Sequence, residues 1–324
     1  KHNYFNADFM QKDIVINKWF AWAEINLSHL DHNLKLIKSY ASKNTRIMAV
    51  VKANAYGHGA IEISRQAIKS GAYALGTAMV EEGTRLRESG VDVPIYVLGE
   101  SPADAVEEAL EHNLILCINS YKSAQFISKK CSEIGKEAVV NINVDTGMNR
   151  IAVSFIDAAE QISKIAALPN LILDSISTHY SCASVRGNFY TELQWSRFNE
   201  IIRQVKNNGI APKHFHCANS AAFFRHRNMH LDMVRTGISI YGLNPYTDDC
   251  NDWLGLETCS VISGLKPVFS LKAKISFIKN VSRGEAISYC GAFKTKRDSI
   301  IANRTCGLCG WLLSIAVQQG HGFN

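Results

Sequence analysis

Short apolar runs alternate with amphipathic segments along most of the chain. The runs have the length of strands, and the segments between them repeat their apolar residues at the spacing of a helix. The predicted strands lie near residues 46–51, 73–77, 93–98, 113–118, 138–144, 172–178, 213–217 and 232–235. The predicted helices among them span residues 60–70, 79–89, 102–112, 121–134, 154–167 and 190–208.

This alternation, without a long polar linker, predicts an α/β fold built on a parallel sheet. The number of predicted strands favours a closed (β/α)8 TIM-type barrel over an open, doubly wound sheet. The glycine fingerprint Gly-x-Gly-x-x-Gly, which marks dinucleotide-binding open sheets, is missing from the predicted strand ends. The sequence therefore predicts a barrel as the main domain.

Two further patterns flank the predicted barrel. Residues 22–27 alternate as in a strand, and Ser28 is predicted to cap the helix that follows, with Asp31 in a weak variant of the capping box. Residues 271–277 alternate apolar and polar, which predicts a strand with one wet face in a mostly-β domain. Three domains are predicted: an N-terminal leader or first-strand region at residues 1–19, a barrel at residues 20–250 and a partial β domain at residues 251–324.

Composition narrows the class of protein. With 47% hydrophobic and 20% charged residues, the chain is predicted to be soluble and globular. The formal charge of +6 is spread along the sequence, so no nucleic-acid partner is predicted. No apolar run has the length of a membrane span, so no membrane partner is predicted either. The nine cysteines are scattered among apolar patterns, as expected in a reducing, cytoplasmic location.

The apolar run 47–51 ends at Lys52, which is followed by a segment with two glycines and then a helix start. Catalytic side chains of such barrels lie at the carboxyl ends of the strands. A lysine at a strand end is often simply solvated, but a partly desolvated one can act as an amine nucleophile toward an aldehyde cofactor. Lys52 is therefore a candidate catalytic residue.

Four more polar segments follow predicted strands. They are Asp145–Arg150, Thr178–His179, His216–Ala221 and Met233–Ile238. The carboxyl ends of parallel strands meet at one face of a barrel, so these segments are predicted to converge with Lys52. Asn219 and Ser220 open a helix, whose free N–H groups suit a phosphate dianion. The sequence thus predicts a site for a phosphorylated cofactor.

The run Val51-Lys52-Ala53-Asn54-Ala55-Tyr56-Gly57-His58-Gly59 closely resembles the pyridoxal-phosphate signature of alanine racemases, and the other four segments resemble that family too. The resemblance extends from about residue 22 to residue 293. It implies that Lys52 holds pyridoxal 5'-phosphate and that Arg150 binds both the phenolate oxygen of the cofactor and the substrate carboxylate. It also implies a phosphate site formed by Tyr56, Asn219, Ser220, Gly237 and Ile238, and a ring site formed by Leu98, His179 and Arg235.

The resemblance further implies a second base, Tyr289, on the opposite face of the substrate. In this family that tyrosine reaches the site from the other subunit of a head-to-tail homodimer. Arg235 predicts that the cofactor would promote fewer kinds of reaction. An arginine beside the ring nitrogen stays charged and cannot keep that nitrogen protonated, which favours proton movement over side reactions such as transamination.

The chain departs from the family at two places. Asn143 stands where many members carry a carbamylated lysine that orients the arginine. Residues 303–324 lose the family pattern, and their Cys306-x-x-Cys309 provides two of the four ligands that a structural zinc requires. Codons compatible with this segment, read one nucleotide out of frame, give a sequence like the family's continuation. Residues 303–324 are therefore predicted to be out of frame and the β domain truncated.

The predicted function is an enzyme, an isomerase that interconverts L- and D-alanine with Lys52 and Tyr289 as the two bases and supplies D-alanine for peptidoglycan. No metal is predicted. Three alternatives stay open from the sequence: a racemase for serine, lysine or a broader set of amino acids, a non-catalytic pyridoxal-phosphate carrier, and an inactive truncated barrel. The alternation in residues 265–293 argues against the carrier, which is a single-domain protein.

Overall fold

The structure is a computed structural model that describes residues 21–246, 253–304 and 315–317. These residues form two compact units: one spans residues 26–268, and the other comprises the described residues up to Ile25 and from Phe269 onward. The predicted leader and most of the segment predicted to be out of frame lie outside the described residues. No helix among the described residues has the length and apolar character needed to cross a membrane.

The larger unit is a nearly closed barrel of eight parallel strands, which confirms the predicted fold class. In chain order the barrel strands are β2 (Arg46–Val50), β3 (Ala74–Thr77), β4 (Ile95–Val97), β5 (Ile115–Ile118), β6 (Ala138–Asp145), β8 (Leu171–Ser177), β9 (His214–His216) and β10 (Met233–Thr236). From β2 to β9 each strand pairs with the next, β10 pairs with β2, and the short β7 (Val153–Ser154) pairs with β6. The main chains of β9 and β10 meet through hydrogen bonds from Asp232 N to Phe215 O (3.2 Å) and from Arg235 N to Ala218 O (2.9 Å).

Helices connect the strands, as the sequence predicts. Those of the larger unit are α1 (Leu27–Tyr40), α2 (Lys52–Tyr56), α3 (Ala60–Lys69), α4 (Val80–Glu88), α5 (Val106–Glu111), α6 (Tyr121–Ile134), α7 (Ala158–Ala166), α8 (Tyr190–Asn207), α9 (Ser220–Arg225) and α10 (Leu256–Ser263). A 3₁₀ turn, Ile238–Tyr241, follows β10. The apolar strand residues are buried because helices cover the outside of the sheet and side chains fill its inside. Met48, Tyr96 and Met233 belong to one cluster in the buried interior.

The start of α1 differs from its prediction. The cap is Asn26 and not Ser28: Asn26 Oδ1 accepts a hydrogen bond from His29 N (3.1 Å). Ser28 lies within the helix, and its hydroxyl donates to that same oxygen (2.7 Å). Asp31 does not close a capping box, because its carboxylate pairs with Lys35 Nζ (2.7 Å). Asparagine and serine are comparable caps, so the path of the chain decided between them.

The smaller unit contains short antiparallel sheets. Its strands are β1 (Ala21–Ile25), β11 (Phe269–Ala273), β12 (Ile275–Val281), β13 (Ala286–Ile287), β14 (Phe293–Lys294), β15 (Ser299–Arg304) and β16 (Ile315–Val317). They pair as β1 with β11, β13 with β14, and β12 with β15 with β16. The strand predicted at 22–27 is present as β1. The single strand predicted at 271–277 is divided at Lys274 between β11 and β12, which pair with different strands. Apolar Leu271 and Phe277 are 62% and 58% exposed. Among the described residues, nothing of this unit covers the apolar face that the alternation predicted to be buried.

Candidate active site at the carboxyl ends of the barrel strands

Lys52 comes two residues after β2 ends, at the carboxyl end of the barrel, as predicted. It is followed by a left-handed helical turn: Ala53, Asn54, Ala55 and Tyr56 all have φ between 51° and 54°. For residues other than glycine this conformation costs about 1–2 kcal/mol each. Strain of this kind is maintained where the surrounding structure enforces it, and it is concentrated at functional sites.

Two adjoining cavities open at this end of the barrel. One of about 260 Å³ reaches toward the start of α9, and one of about 270 Å³ reaches toward the end of β6. Four side chains line both cavities: Lys52, Leu98, His179 and Arg235. The structure therefore brings the predicted amine and the three predicted ring-site residues together around a common space.

The first cavity ends in a narrow cradle around Gly237. The Gly237 N–H donates to Ser220 Oγ (3.0 Å), and a side-chain Cβ at Gly237 would lie only 3.0 Å from Tyr56 Oη. Burial raises the pKa of the Tyr56 phenol, so its hydroxyl keeps its proton at neutral pH and can donate. Ile238 lines the same cavity and begins the 3₁₀ turn. Glycine at this point leaves room for a group that accepts several hydrogen bonds at once.

Asn219 lines this cavity too, but its side chain has other partners. Its Oδ1 accepts from Ala222 N (3.0 Å) as the cap of α9, and its Nδ2 donates to Tyr180 O (3.2 Å). The residue therefore fixes the loop that leads to α9, whereas the Ser220 hydroxyl, while accepting from Gly237 N, can still donate its own proton to a ligand.

Arg235 forms a buried, positively charged floor between the cavities, with 6% of its surface exposed. Its guanidinium donates to the Nδ1 atoms of His216 (2.6 Å) and His179 (3.1 Å). It also donates to the backbone oxygens of Thr178 (2.7 Å), His216 (3.1 Å) and Cys217 (3.1 Å). All five acceptors are neutral, so among the described residues no carboxylate compensates this charge.

Burial, together with neighbouring positive charge, keeps the two histidines beside Arg235 neutral. Burial and the charges of Arg235, Arg150 and Lys52 lower the pKa of His179 to about 3. Burial and Arg235 also hold the pKa of His216 well below its usual value. A neutral imidazole whose Nδ1 accepts from Arg235 can lie against an aromatic ring without adding positive charge. Between the cavities there is thus one fixed cation, Arg235, and both imidazoles that accept hydrogen bonds from it are neutral.

Arg150 lines the second cavity together with Asn143, and its side chain is exposed. The loop that carries Arg150 is tightly held at its base, because Asp145 Oδ1 accepts from Gly147 N (2.8 Å) and Asn149 N (3.1 Å). Asn143 Nδ2 donates to Asn119 Oδ1 (3.2 Å). An amide in this place provides a hydrogen-bonding group without the negative charge of a carbamate.

Gln194 on α8 is a site-supporting residue that sequence reasoning missed. Its side chain is fully buried and connects two loops. The amide Nε2 donates to His179 O (3.0 Å) and Thr146 Oγ1 (3.3 Å), while Oε1 accepts from Ser181 N (3.0 Å). A glutamine within an amphipathic helix gives no local signal of such a role, because its partners are distant in sequence.

Tyr289, the predicted second base, belongs to the smaller unit, where it is 88% exposed. It follows Ser288, which has a φ of +61°. The ten other predicted site residues all lie in the barrel unit and line one or both cavities. The catalytic role of Tyr289 stays a prediction.

Comparison with known proteins gives the family. The model of the family described as "Alanine racemase, N-terminal domain" matches residues 25–245. An alanine racemase of Clostridium tetani is 39% identical over 289 residues, which are 88% of this chain and 72% of the relative. Alanine racemase 2 of Oceanobacillus iheyensis is 36% identical over 299 residues, which are 92% of this chain and 74% of that relative.

Solved structures agree with these sequence relatives. The alanine racemase of Clostridium difficile 630 matches with a TM-score of 0.78 at 32% identity, over 88% of this chain and 73% of that one. Sequence and fold therefore point to the same family, as the resemblance in the residues around Lys52 predicted. The chain belongs to the alanine racemase family.

Proposed function

We propose that this protein is a pyridoxal-phosphate-dependent alanine racemase that interconverts L- and D-alanine and supplies D-alanine for peptidoglycan. The observation that carries the proposal is the cradle of Gly237, Ser220 and Tyr56 beside Lys52. It offers hydrogen-bond donors. It also offers open space, because Gly237 lacks the Cβ that would crowd the Tyr56 hydroxyl. These residues fit the phosphate of the cofactor, and Lys52 lines the same cavity, with its Nζ 6.0 Å from the centre of the Tyr56 ring.

When bound, pyridoxal 5'-phosphate delocalises the electron pair that remains on Cα after the α-proton leaves. The residues of the chain would divide the remaining tasks. Lys52 would hold the cofactor and exchange a proton at Nζ on one face of the substrate. Arg150 would bind the substrate carboxylate through its planar pair of N–H donors. Tyr289 would exchange the proton on the opposite face through its hydroxyl.

Arg235 would restrict this chemistry to the movement of one proton. It is buried, it stays charged, and its hydrogen bonds go to five neutral acceptors. It would therefore face the ring nitrogen as a donor, while His179 would lie against the ring. No acidic side chain is hydrogen-bonded to Arg235 within the described residues, so nothing there supplies a proton to the ring nitrogen.

The family resemblance also supports a head-to-tail homodimer, in which the partner subunit's Tyr289 completes each site. Sedimentation of the purified protein tests the assembly. Heterodimers that combine a Lys52→Ala chain with a Tyr289→Phe chain test the sharing of the site. They should regain one functional site in a dimer if the two residues come from different subunits.

The function itself is tested by trapping the cofactor and by following proton exchange. Borohydride reduction after incubation with pyridoxal 5'-phosphate should label the Lys52 peptide, as seen by mass spectrometry. The α-proton of L-alanine should exchange in deuterated water with formation of D-alanine. Lys52→Ala should lose both signals, whereas Lys43→Ala, at an exposed lysine of the same unit, should keep them.

The outcomes separate the alternatives. Labelling of Lys52 without proton exchange would identify a non-catalytic cofactor carrier or an inactive barrel. Faster exchange of L-serine or L-lysine than of L-alanine would identify a racemase of other specificity. No labelling of Lys52 would contradict the proposed function.

A further inference from the structure

Glu82, the third residue of α4, uses its two carboxylate oxygens on two different parts of the chain. Its Oε2 accepts from Ala78 N (2.7 Å) and Met79 N (3.3 Å), in the loop that precedes its own helix. Its Oε1 accepts from Ala53 N (2.5 Å), 29 residues away. The first pair of contacts caps a helix in the usual way. The contact with Ala53 serves a different element.

The N–H of Ala53 is the first amide of the left-handed turn, and it follows Lys52 directly. The turn contains its own hydrogen bonds, from Ala55 N to Val51 O (2.8 Å) and from Gly57 N to Ala53 O (3.0 Å). Left-handed turns of L-residues are disfavoured even with such bonds, because each Cβ crowds the following carbonyl. Contacts from outside the turn must therefore help to keep it in place.

Two side-chain contacts connect the turn to other elements. Asn54, within the turn, accepts through Oδ1 from Ala60 N, the first residue of α3 (2.8 Å). At the start of the turn Glu82 provides the charged acceptor, and a hydrogen bond to an ionised group is stronger than one between neutral groups. Glu82 thereby connects the backbone beside Lys52 to the loop after β3. Tyr56, at the other end of the turn, contributes to the cradle around Gly237.

We infer that Glu82 is a positioning residue, which holds the left-handed turn and so places Lys52 and Tyr56 for the cofactor; this inference rests on the proposed function. Glu82 does not line either cavity of the site, so it acts through the backbone. An ordinary helix cap would stabilise α4 alone. The inferred role predicts effects on the segment 52–56 that a cap would not have.

The test compares Glu82→Gln with Glu81→Gln, a change in the same first turn of α4 at an exposed position. A glutamine keeps the size of the side chain but has a single acceptor oxygen, so it cannot serve Ala53 and the loop at 78–79 together. Amide hydrogen exchange of the peptide covering residues 52–57 should be about tenfold faster or more in Glu82→Gln. Borohydride labelling of Lys52 should require about tenfold more pyridoxal 5'-phosphate.

A second substitution separates the inferred role from helix capping. Ala53 has φ 51° and ψ 51°, which glycine adopts without a steric cost. Adding Ala53→Gly to Glu82→Gln should restore most of the Lys52 labelling, because the turn then needs less support. Loss of α4 capping would not be repaired by a glycine in another element.

A failure of the role inferred for Glu82 can be distinguished from a failure of the proposed function. Amide exchange is measured without cofactor, so it decides the role of Glu82 even if the wild-type protein fails to capture pyridoxal 5'-phosphate. Equal exchange in Glu82→Gln and Glu81→Gln would overturn the inference. So would a labelling defect in Glu82→Gln that Ala53→Gly leaves unchanged.

Discussion

Gln194→Met is expected to destabilise the protein and to loosen the substrate side of the site. Methionine has nearly the same size as glutamine, so the helix α8 can keep its packing. The substitution removes the hydrogen bonds to His179 O (3.0 Å) and Thr146 Oγ1 (3.3 Å), and those accepted from Ser181 N (3.0 Å) and Ser181 Oγ (3.2 Å). These groups belong to the loops that lead to Arg150 and that carry His179.

The magnitude follows from the groups left behind. Thr146 Oγ1 keeps its contact with Thr178 Oγ1 (2.8 Å), and Ser181 lies near solvent. The carbonyl oxygen of His179 loses the donor that the buried Gln194 side chain supplies. A buried polar group without a partner costs about 1–3 kcal/mol, so we expect the free energy of unfolding to fall by about 3 kcal/mol in all. The Michaelis constant for alanine should rise, because the loops that place Arg150 and His179 lose their common support.

Urea unfolding of the apoprotein measures the effect, with Gln204→Met as the matched control. Gln204 lies on the same helix and donates one bond, to Glu200 Oε1 (2.7 Å) in an exposed pair. The control should therefore lose no more than about 0.5 kcal/mol. If Gln194→Met lost no more stability than Gln204→Met, the reasoning from its buried hydrogen bonds would be refuted.

Two further predictions concern the cradle and the buried histidines. Gly237→Ala puts a Cβ 3.0 Å from Tyr56 Oη, and overpacking of this kind costs about 1 kcal/mol or more, so affinity for pyridoxal 5'-phosphate should fall about fivefold or more. Affinity for unphosphorylated pyridoxal should fall less, and equal losses in equilibrium titrations would contradict a phosphate cradle. The pKa of His179 is about 3 in the folded protein and that of His216 is also lowered, whereas both titrate near pH ~6.5 when unfolded. The unfolded state then binds more protons below that pH, so the unfolding free energy should be greatest above pH ~6.5 and fall as the pH drops toward the folded-state pKa values. A pH series of urea unfolding curves checks this, and His179→Gln should show a shallower fall; a flat series would contradict it.

The sequence by itself determined the architecture of the barrel. Apolar runs of strand length, separated by amphipathic helices, allow few arrangements other than parallel strands covered on both faces. Because the carboxyl ends of such strands meet, the polar segments after them were correctly predicted to converge. Lys52, His179 and Arg235 line the same two cavities for this reason.

The tertiary structure alone decided how the site is held together. The four residues after Lys52 do not predict consecutive left-handed conformations, since three of these residues are alanine or tyrosine. Glu82 and Gln194 contact backbone groups of distant segments, and local patterns carry no information about such partners. The same limit applies to the cap of α1: Asn26 and Ser28 are both suitable caps, and only the structure shows that Asn26 is the one used.

In the smaller unit, local sequence predicted strand conformation but not burial. Alternation correctly predicted strand conformation there, because the period of two depends on the backbone alone, but it did not predict the break at Lys274. Burial depends on what packs against a face, and Leu271 and Phe277 remain exposed among the described residues. Local sequence thus determined which segments form strands and which residues end them. Distant backbone partners and covering surfaces were decided by tertiary structure, because they depend on contacts between segments far apart in the chain.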